Sequence, residues 1–253
     1  MLLNAENIVP EQLKNELFVK KQIKLSVLRL DKLHPVISGN KLFKLHYFLQ
    51  KTQQSEHKTI ITFGGPYSNH LSATAYACKI SGFKSIGIVR GEKPIQLSHT
   101  LQQCISDGMT LQFISRERYA EKEDVSFAST LKEQFGEHVL IPEGGYHSLG
   151  AKGAALIMNL LKANAPSHIC CAIGSATTIA GLLLGSKERQ QIIGVSVLKG
   201  MNNIEEDITA ITNSTPDLQR LKILHDYHFG GYAKKTPELI AFMNELYNDH
   251  QLP

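Results

Sequence analysis

Thr59-Ile60-Ile61-Thr62-Phe63-Gly64-Gly65-Pro66-Tyr67-Ser68-Asn69-His70-Leu71-Ser72-Ala73-Thr74-Ala75-Tyr76-Ala77 changes character twice. It opens as a short β-branched and aromatic run, the pattern of a buried strand. Two glycines and a proline then break it, and a run of small residues that suits a closely packed helix follows. Strand, glycine loop and helix in that order form the repeating unit of a parallel sheet, and the rest of the chain repeats the alternation. Strands are predicted over 23–29, 59–63, 85–89, 110–114, 139–141, 168–173 and 192–196, and helices over 44–51, 69–81, 97–107, 125–135, 151–163 and 178–186. The fold class is α/β: two open, twisted α/β domains with mainly parallel sheets. Pro142-Glu143-Gly144-Gly145 closes the compact run of strand and helix units. We therefore expect a smaller domain over 51–149, inserted into a larger one made of 1–50 and 150–253.

Composition narrows the function classes. With 253 residues, 42% apolar and 20% charged, the chain has ordinary globular content and can bury sizeable cores. It contains no apolar run of membrane-spanning length, and Met1-Leu2-Leu3-Asn4-Ala5-Glu6-Asn7 lacks the basic and apolar regions of a signal peptide, so a cytoplasmic protein is expected. Cys78, Cys104, Cys170 and Cys171 show no metal-ligand spacing and read as buried small hydrophobes; no metal site is expected. The net charge of +4 is spread along the chain, and there is no tryptophan to stack bases. Nucleic acid is not the expected partner, and a small anionic ligand fits better.

Three segments carry chemistry. In Ser38-Gly39-Asn40-Lys41-Leu42-Phe43-Lys44-Leu45 a turn runs into a helix whose apolar face is Leu42, Leu45 and Leu49. Ser38 or Asn40 can cap that helix, and Lys41 falls in its first turn. There the helix dipole and Lys44 favour a neutral amine and attract an anion. A neutral lysine beside an anion site suits imine chemistry, whereas two lysines alone describe equally well a solvated helix face. Next, Ser68 and Asn69 stand after two glycines at a helix N-terminus, where they can offer a hydroxyl and an amide to a carboxylate or ring oxygen, or simply cap the helix. Lastly, Gly174-Ser175-Ala176-Thr177-Thr178 joins a strand to a helix and forms a cup for phosphate or an unoccupied tight turn, without the glycine-lysine signature of a nucleotide loop. A lysine, a polar loop and a phosphate cup match the chemical handles of pyridoxal phosphate.

Ser-Gly-Asn-Lys at 38–41, Gly-Gly-Pro-Tyr-Ser-Asn-His at 64–70, Gly-Phe-Lys-Ser-Ile-Gly-Ile-Val-Arg-Gly-Glu at 82–92, Ile-Pro-Glu-Gly-Gly at 141–145 and Gly-Ser-Ala-Thr-Thr-Ile-Ala-Gly at 174–181 occur in one order over nearly the whole chain. Together they resemble the 1-aminocyclopropane-1-carboxylate deaminase/D-cysteine desulfhydrase family. The resemblance implies fold-type II pyridoxal-phosphate architecture, like the tryptophan synthase β subunit, a small amino-acid substrate and a homodimer. By position it makes Lys41 the Schiff-base lysine and later the general base, Ser68 the active-site serine, and Asn69 the residue bonding the ring hydroxyl. Lys44 matches a nearby second lysine, Gly174, Ser175, Ala176, Thr177 and Thr178 match the phosphate loop, and His70 follows in the substrate-carboxylate loop. The implied reactions release ammonia from D-cysteine, with pyruvate and sulfide, or from a cyclopropane amino acid. A cofactor-binding protein without turnover and a serine dehydratase or racemase are the alternatives.

Some positions depart from the family pattern. Phe43 stands where relatives often carry a basic residue, and Ala176 and Thr177 stand where many carry glycine. Phe229-Gly230-Gly231-Tyr232-Ala233-Lys234-Lys235-Thr236-Pro237-Glu238-Leu239 matches a family segment, but the chain stops at Pro253. Relatives continue into a stretch of the form Asp-Pro-Val-Tyr-x-Gly-Lys and a Gly-Gly loop, which supply a tyrosine and the partner of the pyridine nitrogen. The expectation is a shortened chain that completes its pocket with Tyr67, Tyr146 or a second subunit.

Overall fold

The computed structural model describes residues 8–161, 163, 165–213, 215–231 and 234–252. Lys162 of a predicted helix, Tyr232 and Ala233 of the family-like segment, and the 1–7 arm lie outside them. The chain begins with β1 (Pro10–Gln12), α1 (Glu16–Lys20) and β2 (Ser26–Leu28), then α2 (Lys41–Gln54). A first α/β run follows: β3 (Thr59–Gly64), α3 (Asn69–Ser81), β4 (Lys84–Arg90), α4 (His99–Ser106), β5 (Met109–Ile114), α5 (Arg116–Ala120), α6 (Val125–Phe135) and β6 (Val139–Ile141). A second run holds α7 (Ser148–Ala155), β7 (His168–Ile173), α8 (Thr177–Gly185), β8 (Gln191–Ser196), α9 (Ile204–Thr212) and β9 (Leu221–Leu224), and α10 (Pro237–His250) comes last.

The first run builds a parallel sheet in the order β5-β4-β3-β6, the second a parallel sheet in the order β7-β8-β9. The mainly parallel α/β expectation therefore holds. Residues 60–64 of β3 are buried without alternation, as a central strand covered on both faces requires. In both sheets the strand ends that lead into helices lie on one side, where open α/β sheets gather ligands.

α2 is the seam between the two cores. Leu42, Leu45, Phe48 and Leu49 share a cluster with Ile60, Ala73, Ala77 and Val139, while Phe43 belongs to the cluster of Ala151, Ile173 and Ile179. The boundary expected near residue 50 thus meets a helix that serves both cores. Phe43, at a position where relatives often carry a basic residue, is 2% exposed and fills the second core. α7 reaches α2 closely because Gly153 lacks a side chain: a Cβ there would sit 2.1 Å from the Phe43 carbonyl oxygen.

Several predicted elements are corrected. The strand expected over 23–29 is regular only at Ser26–Leu28, where it pairs antiparallel with β1. The helix expected from 44 begins at Lys41 and runs to Gln54, because Gly39 turns the chain in the left-handed region and frees Asn40 to start it. The helix expected over 151–163 ends at Ala155 and continues as a 3-10 segment, Leu156–Leu161. Cys78 and Cys104 are buried as expected, but Cys170 is exposed and Cys171 half-buried. β7 is an edge strand whose alternate residues His168, Cys170 and Ala172 are exposed, which accounts for Cys170.

Candidate active site

Lys41 opens α2, and its amine donates to Asn40 Oδ1 at 3.0 Å. Asn40 does not cap the helix through its side chain, contrary to one reading of the sequence. Its amide nitrogen instead donates to Thr178 Oγ1 at 2.7 Å, so one side chain ties Lys41 to the start of α8. Burial holds the Lys41 amine below the usual lysine range.

One turn later, Lys44 is 5% exposed. Its amine donates to the Gly144 carbonyl at 3.1 Å and to Ser175 Oγ at 3.3 Å. Burial, with the neighbouring Lys41 charge second, pushes Lys44 down to about 7. The solvated helix face that these lysines could have formed is therefore excluded for Lys44.

The 174–178 loop folds as a cup. Ser175 Oγ lies 3.1 Å from Thr177 Oγ1 and also donates to the Gly144 carbonyl at 3.3 Å. Ala176 holds φ of +54° at the N-cap of α8, where no side chain caps the helix. A left-handed alanine carries a strain of roughly 1–2 kcal/mol, a physical reason for the glycines of relatives. The uncapped N–H groups of α8 call for an acceptor, and a Cβ built on Gly174 would meet nothing within 4 Å, so the mouth of the cup is open. An open, uncapped helix N-terminus with two hydroxyls and a buried amine fits a phosphate, and Lys41 beside it fits an aldehyde carbon. The residues present fit pyridoxal phosphate.

The 64–70 loop reaches the same place from β3. His70 is fully buried; its Nε2 lies 3.0 Å from Thr62 Oγ1, which donates to the Ile141 carbonyl, and Nδ1 has no hydrogen bond of ordinary geometry. Burial first, then Lys44 and Lys41, push His70 down to about 3, so it is neutral. Gly145 separates it from Lys44: a Cβ on that glycine would stand 3.5 Å from Lys44 Cβ and 3.9 Å from His70 Cε1. Ser68 Oγ accepts from Leu71 N at 3.2 Å and caps α3. Asn69 is exposed, and its amide makes no hydrogen bond among the described residues.

Two proposed substrate residues have contacts of their own, with His99 and Asp207. Tyr67 is 66% exposed and turns toward the His99 ring at 6.4 Å. Tyr146 donates to the Asp207 carbonyl at 3.2 Å and to Asp207 Oδ1 at 3.1 Å, and burial with Asp207 pushes its phenol up to about 12. Asn40, Thr62 and Gly144 are members that the sequence reading did not mark as site residues. The Ser-Gly-Asn-Lys and Pro-Glu-Gly-Gly motifs held the signal for the first and last; Thr62 gave none, being one β-branched residue in a strand.

A model of the family described as "Pyridoxal-phosphate dependent enzyme" matches residues 14–253. The chain belongs to that family. It is 32% identical over 258 residues to a Thermotoga maritima protein named "Putative 1-aminocyclopropane-1-carboxylate deaminase", covering 94% of this chain and 81% of that one. It is also 32% identical over 234 residues to a mitochondrial "Bifunctional D-cysteine desulfhydrase/1-aminocyclopropane-1-carboxylate deaminase" of Arabidopsis thaliana, covering 83% of this chain and 58% of that one. Among solved structures, an ACC deaminase homologue superposes with a TM-score of 0.79 at 23% identity, over 97% of this chain and 78% of that one. The last likeness shows the fold, which is that of the pyridoxal-phosphate dependent enzymes.

Proposed function

We propose that the chain is a pyridoxal-phosphate dependent lyase that deaminates a small amino acid, D-cysteine or 1-aminocyclopropane-1-carboxylate. The observation that carries this reading is the division of labour within one turn of α2. Lys41 is tied through Asn40 to Thr178, and Lys44 binds Ser175 and Gly144 directly. That arrangement supports reading one lysine as the group for the aldehyde and the other as the group for the phosphate. The names of the Thermotoga and Arabidopsis relatives support the substrate class.

When bound, pyridoxal phosphate supplies an electron sink for a carbanion at the substrate Cα. The chain does the rest. Lys44, the Ser175, Thr177 and Thr178 hydroxyls and the α8 N-terminus hold the phosphate, and Gly174 and Ala176 shape the turn around it. Asn69, whose amide makes no hydrogen bond among the described residues, bonds the ring hydroxyl. The α3 N-terminus receives the substrate carboxylate on the N–H groups of Asn69 and His70, and Ser68, whose oxygen accepts from Leu71 N, keeps its own O–H to donate. With D-cysteine, Lys41 removes the Cα proton as a base, a role that suits an amine whose burial makes its proton easier to lose; the cyclopropane amino acid has no Cα proton and would lose a ring bond instead. Tyr67 and Tyr146 line the substrate side. Hydrolysis of D-cysteine then yields pyruvate, ammonia and sulfide.

The finer parts of the reading have their own support. The division into a unit over 51–149 and another over 1–50 with 150–253 follows the two sheets, with α2 as the shared seam. Ile240, Phe242, Met243 and Tyr247 stand 44 to 54% exposed on α10, which suits a homodimer. Free thiols at Cys78 and Cys104 suit the cytoplasm.

Product assays on the holoprotein with D-cysteine, 1-aminocyclopropane-1-carboxylate and L-serine test the proposal. Sulfide with pyruvate from D-cysteine, or a keto acid from the cyclopropane, supports it. Ammonia from L-serine alone replaces it with a dehydratase, and cofactor absorption without product from any substrate replaces it with a binding protein.

A further inference from the structure

Arg90 closes β4 at the carboxyl end of the four-stranded sheet, beside the glycine loop. Register pairs Gly64 with Val89, which brings Gly65 alongside Arg90. Its Nη2 lies 3.6 Å from where a Cβ on Gly65 would stand. The guanidinium carbon rests over the ring of Tyr119 at 5.8 Å, and Tyr119 is itself 3% exposed and fixed in the core. Such stacking holds a guanidinium in place while leaving its N–H groups free. Arg90 is exposed, and its guanidinium makes no hydrogen bond and no ion pair among the described residues. The Glu143 carboxylate is engaged by Lys122 at 3.7 Å, and Lys122 also lies over the Tyr119 ring at 5.2 Å. A guanidinium with N–H groups open to a ligand therefore stands beside Gly65 of the loop read above as the carboxylate site.

We propose that Arg90 is the cationic arm that recognises the substrate carboxylate at the 64–70 loop, an inference that rests on the reading of that loop as the carboxylate site. The planar fork suits a carboxylate, and Gly65 leaves the gap through which it reaches. Arg90 acts on affinity and on the choice of charged over neutral ligands. It takes no part in holding the cofactor, whose residues come from α2, α8 and Asn69 at the start of α3.

Binding of D-alanine and of D-alaninamide to the holoprotein, read from the cofactor absorption spectrum, tests the inference with unreactive ligands that differ in the carboxylate. Loss of one charge-assisted contact corresponds to about tenfold or more in affinity. Arg90→Gln is expected to weaken D-alanine by about that factor and to leave D-alaninamide within about twofold, with cofactor content unchanged. An acid-to-amide ratio equal to wild type overturns the proposal. Should Arg90→Gln lose cofactor through misfolding, Arg90→Lys decides. It keeps the charge without the fork, and a ratio that falls by about threefold supports the proposal while an unchanged one overturns it. If neither ligand perturbs the wild-type spectrum, the amino-acid site itself is misread and the proposal falls with it.

Discussion

Lys44 is a buried amine with no carboxylate in ion-pair reach among the described residues, and it must influence stability before any ligand binds. In the unfolded chain it keeps its proton to the ordinary value of 10.5, whereas in the fold it releases it above about 7. Between those values the unfolded state holds the extra proton, so stability rises with pH, and the gain disappears as pH falls to 7. One group contributes about 1.4 kcal/mol per pH unit, which makes the slope measurable. Cys78 and Cys104, pushed by burial from 9.0 to about 12, oppose the trend at higher pH, so the clean window is about 7 to 8.5. Urea unfolding of the cofactor-free protein should show this slope, and Lys44→Met should flatten it. A wild-type midpoint independent of pH in that window would mean that Lys44 is not desolvated. Sequence alone left Lys44 between a solvated face and a functional amine, because the groups that accept its hydrogen bonds, Gly144 and Ser175, lie 100 and 131 residues away in the chain.

At the scale of elements, the spacing of α2, α7 and α8 decides whether these side chains meet. Gly153 lets α7 touch the Phe43 carbonyl, and Gly181 lets α8 approach Ala151, whose carbonyl oxygen would lie 2.5 Å from a Cβ on that glycine. Gly153→Ala drives a methyl into backbone that cannot swing aside, and the Phe43 peptide it displaces lies between Lys41 and Lys44. Overpacking of this kind costs roughly 1–3 kcal/mol, and we expect a shift of that size in the denaturant midpoint together with weakened cofactor retention. A folded Gly153→Ala variant with unchanged stability and cofactor content would show that the seam yields. Elements with strong local periodicity were legible: helices Asn69–Ser81 and Val125–Phe135 and strands Val139–Ile141 and His168–Ile173 match their predicted bounds. α9, β9 and α10 escaped the sequence reading, as did β1, a three-residue strand shorter than any useful periodicity, whereas its partner β2 lies inside the strand expected over 23–29. The loops of the site were legible as polar turns, but which of them converge depends on how two sheets share one helix, a non-local property.

For the molecule as a whole, both sheets present their loops to one place, with α2 lying between them. The phosphate cup belongs to the second sheet, the 64–70 loop and Gly144 to the first, and Lys41 and Lys44 join them from the seam. On this convergence rests the proposal that Lys41 is the cofactor anchor, and everything proposed about turnover depends on it. Borohydride reduction of the holoprotein, followed by peptide fragmentation in a mass spectrometer, tests it most directly. A single pyridoxyl-phosphate group on Lys41, absent from a Lys41→Ala variant, is the predicted result. A group on Lys44, labelling scattered over exposed lysines, or no adduct at all would contradict the account.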